Sequence, residues 1–332
     1  MPAGPRNLIT DVPGILVGQA EDRAAITGTT VVLGEAPAVA AVDVRGGAPG
    51  SRETELLRAG SLVERVDAIV LSGGSAFGLD AAGGVMEVLA AQGRGFEVGE
   101  ARVPIVPAAI LFDLNFPSRR HWKGEPPHRR LGREATAAAG KNFALGNFGA
   151  GLGAKVGRLK GGVGSASFVL ADGATVGAIV AVNACGSAVR PDSGRLWAAE
   201  LALPGEIPPQ PPVPDAALDP EDFSACSDAF AGANTTIALV ATDSPLDKNG
   251  CLRFAMMAQD GLARAIRPAH TPFDGDTVFA LSTGGGASAD PARLARLGSA
   301  AADCLARAVM RAVVAAEPLA GYPSWRQNWD GG

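Results

Sequence analysis

The sequence predicts a mixed α/β protein whose strands and helices pack in close layers. Strand and helix signals alternate along the chain, and the part after residue 235 shows strand, helix, strand and helix in turn. Glycine is unusually frequent, at 44 of 332 residues, whereas aromatic residues make up only 5%. Layers that pack through small side chains are therefore expected. A hydrophobic content of 47% indicates a globular chain, long enough for one large domain or two ordinary ones.

The charge and hydropathy patterns exclude several classes of function. A net charge of −5 and a pI near 5.3 provide no attraction for nucleic acid or an anionic membrane. The first residues contain no apolar signal core, and no later run reaches about 18 unbroken apolar residues. We therefore expect a cytoplasmic protein with no nucleic-acid or membrane partner.

The cysteines and histidines are too scattered to indicate a disulfide framework or a zinc site. No Cys-x-x-Cys pair occurs, so reduced, packed thiols are expected. These residues are Cys185, Cys226, Cys251 and Cys304, with His121, His128 and His270.

In the first third of the chain, strand signals alternate with two helix signals. Strands are predicted at residues 29–33, 38–44 and 68–71, and helices at 51–58 and 79–92. Apolar residues 103–113 include two prolines, which suits an edge strand or a cavity wall. The basic run at residues 117–133 is too short for a nucleic-acid site and is predicted to be a solvated loop that could lie at an oligomer contact.

The glycine turn at residues 72–78 matches neither of two familiar motifs. A nucleophile elbow requires glycine where Phe77 stands, and Gly73-Gly74-Ser75 breaks a dinucleotide fingerprint. Close packing of a helix start on a strand is the better interpretation. Ser75 acting as a nucleophile with His270 is kept as an alternative.

Lys155 lies within a glycine-rich stretch, residues 146–164, that lacks the Gly-Lys-Ser/Thr of a phosphate loop. An ammonium enclosed by backbone and apolar side chains is poorly solvated, so Lys155 could act as a base or a hydrogen-bond donor. An exposed loop lysine is the alternative.

Asn183 follows a predicted β-hairpin formed by residues 165–170 and 175–182 around an Asp-Gly turn. A polar residue at a strand end often belongs to a site. Its amide could donate to an oxyanion, or it could simply cap the strand.

The segment Asn234-Thr235-Thr236 opens an apolar strand after a loose connection. A proline-dense stretch, residues 204–220, and small residues (Ala229, Ala231, Gly232, Ala233) precede it. A threonine hydroxyl needs a base, and the α-amino group of an N-terminal threonine can serve, with a pKa of about 7.7 to 8.0. The hydroxyl could free that amine itself by attacking the Asn234 carbonyl and forming an ester that water opens. An ordinary strand start is the alternative.

Asp274 and Asp276 stand at the entrance of a strand predicted at residues 278–282, where alternate residues share a face. Two carboxylates there could hold the ammonium of Thr235 or of a substrate, although an aspartate turn would look the same. Helices are predicted at residues 246–266, with Ser244 as cap, and at 291–316.

These motifs together resemble the P1 peptidase family, which includes DmpA-type L-aminopeptidase/D-esterases, β-peptidyl aminopeptidases and 6-aminohexanoate (nylon) oligomer hydrolases. The likeness covers nearly the whole chain. It is carried by residues 233–243 (ANTTIALVATD), 270–280 (HTPFDGDTVFA), 42–47 (VDVRGG) and 71–79 (LSGGSAFGL), with the Lys155 stretch and Val182-Asn183.

The resemblance implies an αββα sandwich, with two facing sheets covered by helices. It also implies a single autoprocessed domain over 1–332, cut between Asn234 and Thr235 into chains 1–234 and 235–332, which assemble as a homo-oligomer. Thr235 would be the nucleophile and Lys155 and Asn183 would line the site, beside the acidic pair Asp274 and Asp276. No metal or organic cofactor is required, and the substrate would be a small peptide or amide.

One position departs from the nylon-oligomer members of the family, which carry a functional tyrosine in Ile-Tyr-Asp. Here the residues are Leu111-Phe112-Asp113, and Tyr322 is the only tyrosine in the chain. A phenolic donor is therefore expected to be missing, which favours an aminopeptidase over nylon-oligomer specificity. An acyltransferase with the same nucleophile and an uncleaved binding protein are the remaining alternatives.

Overall fold

The computed structural model describes residues 1–116, 119–215, 218–219, 221–226 and 234–329. No helix within those ranges combines the length and the apolar character needed to cross a bilayer. The strands described are β1 (Ile15–Asp22), β2 (Thr27–Val44), β3 (Ser51–Arg52), β4 (Arg65–Ser72), β5 (Phe96–Val98), β6 (Ala101–Val103), β7 (Ala108–Ile110), β8 (Lys155–Val156), β9 (Leu159–Lys160), β10 (Gly162–Val169), β11 (Thr175–Asn183), β12 (Thr235–Thr242) and β13 (Thr277–Ser282). The helices are α1 (Ala81–Ala91), α2 (His128–Ala137), α3 (Lys248–Ala265), α4 (Pro291–Ala315) and α5 (Trp325–Trp329).

Nine of the described strands form one mixed sheet that is continuous through β2. The order is β10-β11-β12-β13-β2-β4-β7-β3, and β1 pairs with the first part of β2. The β2–β4 register shifts between Leu33 and Ala38. Before this irregularity β2 pairs with β1, and after it β2 pairs with β13. Irregularities of this kind bend a strand.

The two halves of this sheet face each other across a shared apolar core. Residues of β11, β12 and β13 contact residues of β1, β2 and β4 in that core. On their other faces, β10–β13 pack on α3 and α4, whereas β1, β2 and β4 pack on α1 and α2. The alternation of side chains along each strand places one set in the shared core and the other set under helices. The expected αββα sandwich is thus confirmed.

Glycine makes the close contacts between layers possible. A Cβ atom at Gly164 would lie 1.9 Å from the Ala308 carbonyl oxygen of α4, and one at Gly18 would lie 1.8 Å from the Ala135 carbonyl oxygen of α2. Any larger side chain would force the helix away from its strand. The high glycine content therefore serves sheet–helix packing.

Three local predictions were wrong. Residues 51–58 form β3 and a 3₁₀ turn (Glu55–Leu57) instead of a helix. The basic run was predicted as a loop, yet residues 128–133 open α2, because Leu131 and Ala135 are buried against the sheet. Helix α3 begins after Asp247, whose carboxylate accepts from the Gly250 N–H, so Ser244 is not its cap.

The expectation of four reduced cysteines was also wrong. Cys185 and Cys226 form a disulfide with Cα atoms 4.9 Å apart, whereas Cys251 and Cys304 are free and buried. The pairing joins the residues after β11 to a distant segment. The two cysteines meet only because the chain folds back on itself, so the spacing of cysteines in the sequence could not predict this disulfide.

Candidate active site

Thr235 is the first residue of β12 and is buried, with 2% of its surface exposed. Its Cα pairs with that of Asn183 in the neighbouring antiparallel strand β11. Its hydroxyl donates to the carbonyl oxygen of Asn234, the residue immediately before it. The β12–β11 ladder thus places the predicted nucleophile beside both the predicted scissile peptide and the predicted amide donor.

The Asn234 carbonyl is held by a backbone donor. The Gly275 N–H donates to the Asn234 oxygen at 3.0 Å, and Asn234 forms a parallel bridge with Asp274. A Cβ at residue 275 would lie 2.7 Å from the Thr235 hydroxyl oxygen and 2.7 Å from the Ala48 carbonyl oxygen. Glycine is therefore needed for this close approach of the backbone to the peptide bond.

Asp274 and Asp276 are both buried, and each carboxylate accepts from a backbone N–H group. Asp274 Oδ1 accepts from the Cys185 N–H at 3.0 Å, and Asp276 Oδ1 accepts from the Thr236 N–H at 2.8 Å. Burial, and then the neighbouring charge of Asp276, raise the pKa of Asp274. The pair supplies negative charge beside the peptide that would become the new N-terminus.

His270 is tied to the acidic pair. Its backbone N–H donates to Asp276 Oδ2 at 3.0 Å, and its Nδ1 lies 2.8 Å from the same oxygen. Ser75 donates its backbone N–H to the Leu111 carbonyl, and no described hydrogen bond joins its hydroxyl to His270. The geometry thus gives no support to a Ser75–His270 pair.

Asn183 links the predicted lysine to the strand that holds Thr235. Its Oδ1 accepts from the Lys155 backbone N–H at 2.9 Å, and its Nδ2 donates to the Phe112 carbonyl at 3.2 Å. Asn183 is fully buried. The structure therefore places Asn183, Asp274 and Asp276 around Thr235, and Lys155 joins this group through the bond from its backbone N–H to Asn183.

The Lys155 ammonium binds two side chains outside the predicted set of site residues. Its Nζ donates to Asn115 Oδ1 at 3.0 Å and to the Tyr322 hydroxyl at 3.3 Å. The expected absence of a phenol was therefore wrong, because the C-terminal segment supplies one. No local motif could have found Tyr322, which lies 167 residues from Lys155 in the sequence.

A second polar cluster lies behind the Lys155 stretch. Burial raises the pKa of Asp113 to about 7, although the nearby Thr27 hydroxyl and a hydrogen bond from the Gly74 N–H oppose the shift. Burial likewise lowers the pKa of Lys160 to about 7 and that of His128 to about 4. His128 Nε2 lies 3.3 Å from the Thr27 hydroxyl. Asp113, Lys160 and His128 are fully buried, so we interpret this cluster as structural support for the Lys155 stretch.

Within the described residues, no group of three or more His, Cys, Asp or Glu side chains could hold a metal ion. The small residues predicted to form the loose segment before the cut, Ala229, Ala231, Gly232 and Ala233, lie outside the described residues.

Comparison with known families places the chain among peptidases. The sequence profile described as Peptidase family S58 matches residues 7–325. An uncharacterized aminopeptidase of Mycobacterium bovis is 46% identical over 348 residues, covering 98% of this chain and 98% of that protein. A 6-aminohexanoate-oligomer endohydrolase of Kocuria sp. is 31% identical over 290 residues, covering 84% of this chain and 76% of that protein.

Solved structures agree with the fold. A β-aminopeptidase from Burkholderia sp. superposes with a TM-score of 0.70 at 26% identity, covering 98% of this chain and 92% of that one. The L-aminopeptidase D-Ala-esterase/amidase of Ochrobactrum anthropi, described as a variant of the Ntn hydrolase fold, superposes with a TM-score of 0.70 at 23% identity, covering 95% and 88%. The resemblance to the DmpA-type aminopeptidase family is confirmed.

Proposed function

Because this chain belongs to peptidase family S58 and is thus a hydrolase of peptide or amide bonds, we propose that it is a self-cleaving aminopeptidase with Thr235 as its N-terminal nucleophile. Its substrates are short peptides, amino-acid amides or esters. The observation that carries the proposal is the contact of the Thr235 hydroxyl with the Asn234 carbonyl, whose oxygen also accepts from the Gly275 N–H.

The cut begins when the Thr235 oxygen bonds to the Asn234 carbonyl carbon. The C–N bond then breaks, the departing nitrogen takes the proton released by the Thr235 hydroxyl, and an ester between Asn234 and the Thr235 oxygen remains. Water adds to the ester carbonyl, which leaves a carboxylate on Asn234 and restores the Thr235 hydroxyl beside the amine freed in the preceding step. The Gly275 N–H, 3.0 Å from the oxygen, stabilises the negative charge that develops there.

In the processed enzyme the free amine of Thr235, helped by Lys155, takes the hydroxyl proton as the oxygen attacks the substrate's acyl carbon. Asn183 and backbone N–H groups hold the oxyanion, a contribution of roughly 3 to 4 kcal/mol for one good donor. Asp274 and Asp276 orient the new N-terminus. Their position is supported by the bonds to the Cys185 and Thr236 N–H groups.

The proposal extends to assembly and location. Chains 1–234 and 235–332 stay together through the shared core, and the two-chain unit forms a homo-oligomer in the cytoplasm. Cys185 and Cys226 both belong to chain 1–234, so their disulfide does not join the two chains.

Intact mass spectrometry of the purified protein tests the cut. Two fragments ending at Asn234 and beginning at Thr235 are expected, with the same pattern before and after reduction. Thr235→Ala should remain a full-length chain and lose hydrolysis of amino-acid amides, whereas Thr236→Ala serves as the matched control and should be cut. A wild-type chain that stays whole, or an active Thr235→Ala, contradicts the proposal.

The substrate class is tested with a panel that compares a dipeptide, an amino-acid amide, an amino-acid ester and a linear 6-aminohexanoate dimer. Fastest hydrolysis of the first three is expected. The dimer is included because the Kocuria relative is named for such oligomers. An added free amino acid should leave the hydrolysis product unchanged, and efficient transfer to it would instead indicate an acyltransferase.

A further inference from the structure

Lys155 is buried, and no carboxylate among the described residues pairs with its ammonium. Only 9% of its surface is exposed, and none of the described ion pairs includes it. Its Nζ donates to two neutral oxygens, Asn115 Oδ1 at 3.0 Å and the Tyr322 hydroxyl at 3.3 Å. A buried charge is costly unless it is hydrogen-bonded. Within the part of the chain that the structure describes, the phenol is therefore one of two acceptors that hold this ammonium in place.

The Tyr322 ring also contacts the ammonium. Lys155 Nζ lies 5.0 Å from the centroid of the Tyr322 ring and 5.6 Å from that of Phe116. The two rings pack edge to face with centroids 5.2 Å apart. Cations within about 6 Å of an aromatic face are attracted to it. The hydroxyl and the ring of Tyr322 thus act on the same charge.

The backbone around Tyr322 is firmly held. Leu319 and Tyr322 exchange two backbone hydrogen bonds at 3.0 and 3.1 Å across a tight turn. The next residue, Pro323, accepts from the Lys160 N–H at 2.8 Å, and the buried Trp325 donates its indole N–H to the Gly194 carbonyl at 2.9 Å. Because its backbone is held in this way, the Tyr322 side chain can fix the position of the Lys155 ammonium.

We propose that Tyr322 is a positioning residue that holds the Lys155 ammonium in the orientation used during hydrolysis. The inference rests on the proposed function, since it assumes that Lys155 takes part in the reaction. Cleavage at residue 234 would leave Tyr322 on the same chain as Thr235, and Lys155 on the other. The contact would then align groups from the two products of processing.

Steady-state kinetics of processed variants tests this role. Tyr322→Phe keeps the ring but removes one hydrogen bond to a charged group, so kcat should fall about tenfold while KM stays within about twofold. Asn115→Ala removes the other acceptor and should show the same split. Tyr322→Leu also removes the ring and should lose more. Tyr322→Phe with wild-type kcat would overturn the inference.

A spectroscopic measurement covers variants that process poorly. Because Tyr322 is the only tyrosine, protein labelled with 3-fluorotyrosine gives a single ¹⁹F resonance from this site. Lys155→Met should move that resonance, and the exposed control Lys141→Met should leave it in place. An unmoved resonance in Lys155→Met would show that the two side chains do not interact, and the proposal would fail.

These results distinguish a failure of the positioning role of Tyr322 from a failure of the proposed nucleophile. If Thr235→Ala is inactive and Tyr322→Phe is unimpaired, the positioning role alone is wrong. If Thr235→Ala is fully active, the proposed nucleophile is wrong, and the ¹⁹F measurement still decides whether Tyr322 senses Lys155.

Discussion

Lys155 and Lys160 belong to one short hairpin, and their Cα atoms pair directly between β8 and β9, yet their surroundings differ. The Lys160 ammonium is fully enclosed and donates to the carbonyl oxygens of Gly151, Ala154 and Gly161 at 2.8 to 2.9 Å. Its acceptors all come from the same glycine-rich stretch. Lys160 therefore holds that stretch in shape.

Lys155 instead meets side chains from remote parts of the chain. Asn115 and Tyr322 bind its ammonium, and its backbone N–H donates to Asn183, the cross-strand neighbour of Thr235. Two lysines of one hairpin thus differ in role because of the partners that tertiary structure provides. The comparison predicts that changing Lys155 affects chemistry, whereas changing Lys160 affects stability.

The largest effect is expected from Lys155→Met, which keeps the apolar stem and removes the ammonium. Loss of a group that assists proton transfer should lower kcat about 1,000-fold. The urea midpoint of unfolding should stay close to that of the wild type. Lys141→Met is the matched surface control. Activity of Lys155→Met within twofold of the wild type would remove the basis of the comparison.

The pH dependence of stability should report the cluster that contains Lys160. Because burial raises the pKa of Asp113 from 3.8 to about 7, the folded state binds more protons than the unfolded state between these values. The stabilising contribution of Asp113 is complete below pH 3.8 and is lost as the pH rises through about 7. The free energy of unfolding should therefore fall by about 4 kcal/mol over this range relative to Asp113→Asn.

Urea unfolding of the wild type and Asp113→Asn at several pH values measures this difference. If the free energies of unfolding of the two proteins changed with pH in the same way, the Asp113 carboxyl would have an ordinary pKa in the folded state. Activity offers a further control, since Asp113 is enclosed and its replacement should alter kcat less than that of Lys155.

Lys160→Met should be destabilising by about 3 kcal/mol, because the carbonyl groups of Gly151, Ala154 and Gly161 each lose a buried charged donor, and backbone N–H groups remain only for Gly151 and Ala154 among the described bonds. The urea midpoint measures the loss. At a temperature where the variant is folded, its kcat should exceed that of Lys155→Met. If Lys160→Met unfolded like the wild type and were as inactive as Lys155→Met, the assignment of the two lysines would be reversed.

The smallest effect is expected from removing the Cys185–Cys226 disulfide. This disulfide lies near the turn of the Lys155–Lys160 hairpin, because the Gly157 N–H in that turn donates to the carbonyl oxygen of Ala184, the residue before Cys185. Cys226→Ser should lower the free energy of unfolding by about 2 kcal/mol, since the crosslink restricts the unfolded chain. The kcat should stay near the wild-type value, because Cys185 contacts Asp274 through its backbone N–H, a bond that does not require the sulfur atoms. A large loss of kcat would place the disulfide within the catalytic apparatus.

Much of the core architecture was predictable because it follows from local patterns. The hairpin β10–β11, the strand after Asn234 and the long helix α4 match their predicted positions within a few residues. Helix α2 was missed because its charged residues, such as Arg129 and Arg130, face outward and hide a narrow apolar face formed by Leu131 and Ala135.

The sequence by itself predicted most of the strand and helix order, the close-packed character of the layers and the candidate site residues Thr235, Asn183, Lys155, Asp274 and Asp276, because each of these features is tied to a local motif or a strand end. Only the tertiary structure revealed that Lys160 binds the carbonyl groups of its own glycine-rich stretch, that Cys185 pairs with Cys226 and that Tyr322 contacts Lys155. Those contacts join segments far apart in the chain, and no local spacing specifies which distant side chain will fill the space beside a buried charge.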